Sequence, residues 1–219
     1  MASGSALHFA LTGDVEGLRT FLGNESVAWN EEALDFSWER DEAGRNALFA
    51  ASMLGRSSVV RELVQHGARV NAATARGYSP LHCCAAWGHL DTTKTLVELG
   101  ADMQSKTFIG ERPVEVALRY SQQECVDYFT WAEAKQSLQS YIAMVENSIV
   151  KPERAKRKLN REDKNICLTA CSETTNWMQT AENPNIKDFD EQRKLLEEAV
   201  TPILTKLTHQ DELRAKSKN

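Results

Sequence analysis

The sequence predicts an all-α protein: a solenoid of about four stacked helix pairs, the first and last degenerate, followed by a three-helix bundle. Three observations predict it. The same residue types return every 33 positions through the first half of the chain. Apolar residues fall at helical spacing through the second half, with few Gly or Pro to interrupt them. The charge balance also changes between the halves. Residues 1–134 hold 11 bases and 18 acids, a net of −7, whereas residues 135–219 hold 15 and 13, a net of +2, which together give the −5 of the chain. Such a change suggests two units of different origin.

The period is carried by five columns. Gly44, Gly77 and Gly110 are 33 residues apart, as are Leu48, Leu81 and Val114. The small residues Ala51, Cys84 and Ala117 keep the spacing, as do Gly55 and Gly88 with Ser121 as a weaker third. Leu63, Leu96 and Phe129 close each unit. In the clearest unit, Gly77 stands where the chain turns and Pro80 where a helix begins, since a first-turn residue needs no amide donor. A short helix follows, with Cys84 and Ala85 small enough for close packing. Gly88 ends it. A second helix presents Thr92, Leu96 and Val97 on one face, and Gly100 caps it. Such a unit cannot bury its apolar face alone, so stacked copies share one core.

The residues SerProLeuHisCysCysAlaAlaTrpGlyHisLeu (79–90) and LeuValGluLeuGlyAlaAsp (96–102) resemble the ankyrin repeat family. The third unit (74–106) matches nearly throughout. The second (41–73) keeps AlaLeuPheAlaAla, Gly55 and GlnHisGlyAlaArgValAsn. The fourth (107–134) has ArgProValGluValAla without a closing Gly-Ala. The first (5–40) is degenerate: Leu7, Ala10, Leu18 and Leu22 precede Leu48, Ala51, Val59 and Leu63 by 41, which implies an eight-residue insertion within 23–40. Its Trp29, Phe36 and Trp38 are expected to cover the open end of the array, the alternative being a ligand contact.

No Pro or Gly occurs between Pro113 and Pro152. Ala134, Leu138, Tyr141, Ile142, Val145 and Ile149 follow at helical spacing, which predicts one helix over about 122–150. Asn160 is placed to cap a second helix, with the face Cys167, Ala170, Cys171, Thr174, Trp177 and Met178. AsnProAsn (183–185) breaks the chain. A third helix carries Phe189, Leu196, Val200, Ile203 and Leu207, with a bend expected at Pro202. The bundle is therefore assigned to 135–209, and a disordered tail is expected over 210–219. The series LeuGlnSerTyrIle, ArgGluAspLys, CysSerGluThrThrAsnTrp, GluGlnArgLysLeuLeuGlu and ProIleLeuThrLysLeu resembles the C-terminal helical lid of the seventy-kilodalton heat-shock chaperones. That resemblance implies a helical bundle. The chain shows neither the ATPase nor the β substrate domain of that family, so it implies no ATP cycle.

Catalytic, cofactor and metal sites are all expected to be absent. No phosphate-cradling GxxxxGK[ST] or GxGxxG, no GxSxG and no HExxH occurs. His82, Cys83, Cys84 and His89 invite a metal reading, but adjacent helical residues diverge by about 100°, which suits no single tetrahedral ion. Cys167 and Cys171 share an otherwise apolar helix face and are read as core. The basic run Lys151, Arg154, Lys156, Arg157, Lys158 and Arg161 is read as a solvated connection, with nuclear import or nucleic-acid binding as the alternative; no aromatic interleaves for base stacking. No apolar stretch reaches the roughly 18–20 residues a membrane helix needs. No secretory signal is expected, and five cysteines without disulfide spacing suit a reducing compartment.

The expected function is a non-catalytic adaptor or scaffold for protein partners, with no small-molecule substrate. The repeat register picks out its surface. Met53, with Ala86 and Arg119, and Leu54, with Trp87 and Tyr120, form two adjacent columns at the ends of the first helices. Arg45, Arg76, Tyr78, Phe108, Ile109 and Glu111 come from the turn tips. Large apolar and aromatic residues with interspersed arginine are the composition of binding hot spots. The alternative is that some of them, Phe108 and Ile109 above all, are covered by the helical tail. The helical bundle is expected to dock a second partner. Other readings are a chaperone-related factor acting through the lid-like bundle on a heat-shock chaperone, or a cytoskeletal component. Localisation is expected in the cytoplasm, with cytoskeletal structures such as cilium or midbody, and the nucleus, left open.

Overall fold

The computed structural model describes residues 5–23, 46–150 and 159–216, with backbone alone at 150 and from 206 onward. Among these residues it is entirely helical. Four helix pairs come first. They are α1 (Ala6–Thr12) with α2 (Val15–Leu22), α3 (Ala47–Met53) with α4 (Ser57–Gln65), α5 (Pro80–Trp87) with α6 (Leu90–Glu98), and α7 (Pro113–Arg119) with the start of α8 (Gln123–Val150). Then come α9 (Arg161–Thr180) and α10 (Ile186–Lys216). The chain forms two compact units, divided within α8 after Thr130. None of the described helices is long and apolar enough to cross a membrane.

In the first unit, α1, α3, α5 and α7 stack on one another in one layer, and α2, α4 and α6 stack in a second. The repeat columns become the core. Leu48, Leu81, Ala51, Cys84, Ala117, Leu63, Leu96 and Phe129 are all buried. So are Ala10, Leu18 and Leu22 of the degenerate first repeat, whereas Leu7 is half-buried. Val97 is likewise half-buried; Thr93 and Thr95 join Thr92 and Leu96 in the interior. Capping explains where the helices start. The Asn46 side chain accepts the Leu48 amide at 3.1 Å. Ser79 precedes Pro80, and its hydroxyl accepts the His82 amide. At Arg112 the capping acceptor comes from downstream: its own amide donates to the Glu115 carboxylate at 2.7 Å.

Between the two helices of each repeat the chain passes through a left-handed residue. Gly55 has φ 70°, Gly88 has φ 72°, and Ser121 has φ 57°. The weak third member of the column thus keeps the same backbone, against the steric preference of a residue with a Cβ. In the third and fourth repeats the residue immediately after the left-handed one reaches back to the preceding repeat. His89 Nε2–H donates to the Met53 carbonyl at 2.9 Å, and Gln122 Nε2–H to the Ala86 carbonyl at 3.5 Å. Both acceptors lie in the last turn of a first helix, where carbonyls lack helical partners. A Cβ on Gly55 would stand 2.7 Å from the His89 ring. The glycine is therefore required twice, by its φ and by this approach.

The second unit has a core of its own. Leu138, Ile142, Val145 and Ile149 of α8 face Cys167 and Cys171 of α9 and Phe189, Leu196, Val200 and Ile203 of α10. Phe189 sits at one end between two indoles, edge-on to Trp131 at 5.8 Å and to Trp177 at 5.7 Å. The Trp131 N–H donates to the Pro184 carbonyl at 2.8 Å, which ties α8 to the connection before α10. Asn160 caps α9 by accepting the Asp163 amide at 2.6 Å. Asn183 takes φ 51° in the break, and Asn185 caps α10 by accepting the Lys187 amide at 2.8 Å. The α10 helix runs through Pro202 to Lys216. No Gly or Pro follows Pro202, and Leu213, Arg214, Ala215 and Lys216 are good helix formers. The sequence window 151–158, with most of the basic run, and Trp29, Phe36, Trp38 and Gly44 lie outside the described residues.

Candidate protein-binding surface

The turn tips of the third and fourth repeats are built alike, 33 residues apart. Each starts at a threonine whose amide donates to the carbonyl four residues on: Thr74 to Tyr78, and Thr107 to Glu111. Each threonine hydroxyl also accepts the amide returning from that residue. The tips are joined by the Phe108 amide donating to the Arg76 carbonyl at 3.0 Å. A Cβ on Gly77 would meet the Lys106 carbonyl at 3.0 Å, so only glycine lets the two tips lie this close.

His82 locks the arrangement from beneath. Its Nδ1 accepts the Ser79 amide at 3.1 Å, which leaves the proton on Nε2 to donate to the Glu111 carbonyl at 3.1 Å. Burial holds the imidazole below its usual titration range, opposed by the backbone bond to Glu111. His82 is thus a neutral strut between a helix start and the next tip. His89 donates to Met53, as described. Cys84 is buried, accepts the Thr93 hydroxyl at 3.3 Å, and burial pushes its thiol well above the ordinary cysteine range. Burial likewise pushes Cys171 up to about 11. Among the described residues, no three His, Cys, Asp or Glu side chains are grouped as metal ligands.

Over these struts lies the exposed stripe. Leu54, Trp87 and Tyr120 are 46%, 61% and 52% exposed, and Phe108 and Ile109 are 65% and 53% exposed. Arg76 is exposed, while Met53 and Tyr78 are half-buried. Arg45 lies outside the described residues. Arg119 joins tip to helix end. It pairs with Glu111 at 2.9 Å, stacks over the Tyr120 ring at 4.9 Å and hydrogen-bonds the Tyr78 hydroxyl. Arg76 stacks over Phe108 at 5.9 Å. Arginines spread on aromatic rings hold those rings in place at the surface. Glu111, the sixth of the expected tip residues, is brought to this surface, and the position there that the sequence did not single out is Leu118. Leu118 is 62% exposed, whereas Ser52 and Ala85, 66 and 33 residues before it, are fully buried by the next first helix. The column itself carries that signal, because no fifth repeat follows. The Glu111–Arg119–Tyr78 link spans two repeats and has no such signal.

A family model for ankyrin repeats (3 copies) matches residues 7–107. Ankyrin repeat domain-containing protein 45 of Danio rerio is 50% identical over 210 residues, covering 95% of this chain and 94% of that protein. The chain belongs to the ankyrin repeat domain-containing protein 45 family. The Homo sapiens member is 46% identical over 199 residues, covering 91% of this chain and 75% of its own length. Protein phosphatase 1 regulatory subunit 12A of Mus musculus is 30% identical over 97 residues, covering 44% of this chain and 9% of its own length. As in other ankyrin repeat proteins, the repeats of this family member serve protein–protein interaction, and its partners are proteins.

Proposed function

We propose that this ankyrin repeat domain-containing protein 45 family member is a non-catalytic adaptor. Its first-helix layer and turn tips hold one protein, and its three-helix unit docks a second. The observation that carries the reading is the exposure of Leu54, Trp87 and Tyr120 in one repeat column. The bonds beneath them, from His82 and His89, make that surface rigid without using it. Preformed aromatic surface loses little conformational freedom on binding. The resemblance to a regulatory subunit of a phosphatase is consistent with a module that positions another protein.

The test is affinity capture by full-length chain beside a Trp87→Ala, Tyr120→Ala double variant. Loss of the wild-type partners by a variant of unchanged fold supports the reading; equal capture rejects the surface. A second reading rests on the resemblance of residues 132–207 to a chaperone lid; Leu138, Ile142, Cys171, Leu196 and Ile203 of the motifs that carry it lie in the core of the three-helix unit. On that reading the unit docks on a heat-shock chaperone, and binding of purified chaperone to full-length chain, lost on Leu195→Asp at an exposed position, measures it. A cytoplasmic location, with attachment to a cytoskeletal structure such as a cilium or midbody, belongs to the same proposal; diffuse staining of tagged chain would remove the attachment.

A further inference from the structure

Charge is segregated within the first unit. Its described residues (5–23 and 46–130) have nine bases and ten acids, a net of −1. The described first helices and third and fourth tips (46–54, 75–88 and 106–122) hold Arg76, Lys106, Arg112 and Arg119 against Glu111 and Glu115, a net of +2. The rest of those residues therefore carries −3. Both acids on this face are already engaged, Glu111 with Arg119 at 2.9 Å and Glu115 with Arg112 at 3.3 Å. Arg76 and Lys106 make no ion pair among the described residues, and both are exposed. The negative remainder of the unit repels acidic segments, and the face of positive sign attracts them.

We propose that this face binds an acidic partner segment with an apolar anchor. This rests on the adaptor reading above and names the partner's chemistry. The carboxylates meet Arg76 and Lys106 at the tips, and the anchor packs between Trp87 and Tyr120 at the far ends of α5 and α7. A helix of seven or eight residues is roughly 10 Å long, at about 1.5 Å per residue. An extended segment spans that distance in about three residues. The partner motif is therefore one or two Asp or Glu, followed or preceded about three residues away by a large apolar side chain. Arg76 is exposed, with its guanidinium 5.9 Å from the Phe108 ring centroid, and a guanidinium can take a carboxylate on two donors.

The test selects a phage-displayed library of random peptides on full-length chain and measures the enriched sequences as synthetic peptides. The expected peptides carry Asp or Glu beside a Leu, Phe or Trp. They lose binding to the Trp87→Ala, Tyr120→Ala variant. They bind about tenfold or more weakly to Arg76→Glu with Lys106→Glu, because reversed charge repels them, and more weakly as salt is raised. Arg76→Gln with Lys106→Gln replaces the reversal if that variant melts early. Peptides that need Trp87 and Tyr120 but carry no acids, or ignore the Arg76 and Lys106 substitutions, overturn the acidic motif and leave the adaptor surface standing. Peptides that are all indifferent to Trp87 and Tyr120 overturn both. Self-association through Trp87 and Tyr120 would assign the face to a second copy, which also overturns the proposal.

Discussion

The two units reach stability by different routes. In the first, every buried position has a counterpart one repeat away, and the bonds that matter run between neighbours: His82 to Glu111, His89 to Met53, Gln122 to Ala86. In the second there is no period, and one aromatic centre, Phe189 between Trp131 and Trp177, joins all three helices. A repeat array distributes its cohesion, whereas a small bundle concentrates it. The comparison also separates surface from support. Repetition leaves the first unit with a regular exposed column that no packing requires.

The sharpest way to break the contrast is at the concentrated site. Phe189→Ala should cost about 3–5 kcal/mol, as a buried aromatic leaves a cavity. Near-ultraviolet circular dichroism should then lose the Trp131 and Trp177 signals while amides of α3 to α6 stay protected from hydrogen exchange. Loss of protection in both units together would refute independent cores. Next comes the glycine column. Gly55→Ala should cost roughly 2 kcal/mol, since the φ of 70° is disfavoured and the His89 ring is held by its bond to Met53. Gly88→Ala should cost less, about 1 kcal/mol, because the obstructing atom is the end of the flexible Gln122 side chain, held only by its long 3.5 Å bond to Ala86. Urea unfolding gives both values, and an inverted order would contradict this account of the column.

Two smaller effects sharpen it. Ser121→Gly should stabilise the fourth repeat by about 1 kcal/mol, by relieving a left-handed backbone at a residue with a Cβ; a loss of stability would contradict that. At His82 the sign is set by burial. Its folded titration point lies below the ordinary value of 6.5, so the unfolded chain takes up a proton first. Its contribution is therefore complete above about pH 6.5 and declines as pH falls below it. Wild type should lose more stability than His82→Gln between neutral and mildly acidic pH, in paired denaturation curves; parallel curves would contradict the strut.

The same contrast explains what could be read from the chain. Periodicity makes position meaningful, so Leu48, Leu81, Ala51, Cys84 and the exposed Leu54, Trp87 and Tyr120 were all assignable by counting. The bundle faces were assignable from helical spacing, down to Cys167, Cys171 and Phe189. What counting could not supply was contact between unlike positions. Arg119 meets Glu111 and Tyr78 because a helix end folds back over two tips, and Trp131 meets Pro184 across 53 residues.

The central claim is that the Trp87–Tyr120 stripe is carried by the fold without holding it together. Thermal unfolding of Trp87→Ala with Tyr120→Ala measures this directly. The account predicts a midpoint within about 2 °C of wild type, as surface substitutions away from packed features change stability by about 0.5 kcal/mol or less. A fall as large as that of Leu81→Ala, a fully buried core position, would contradict it.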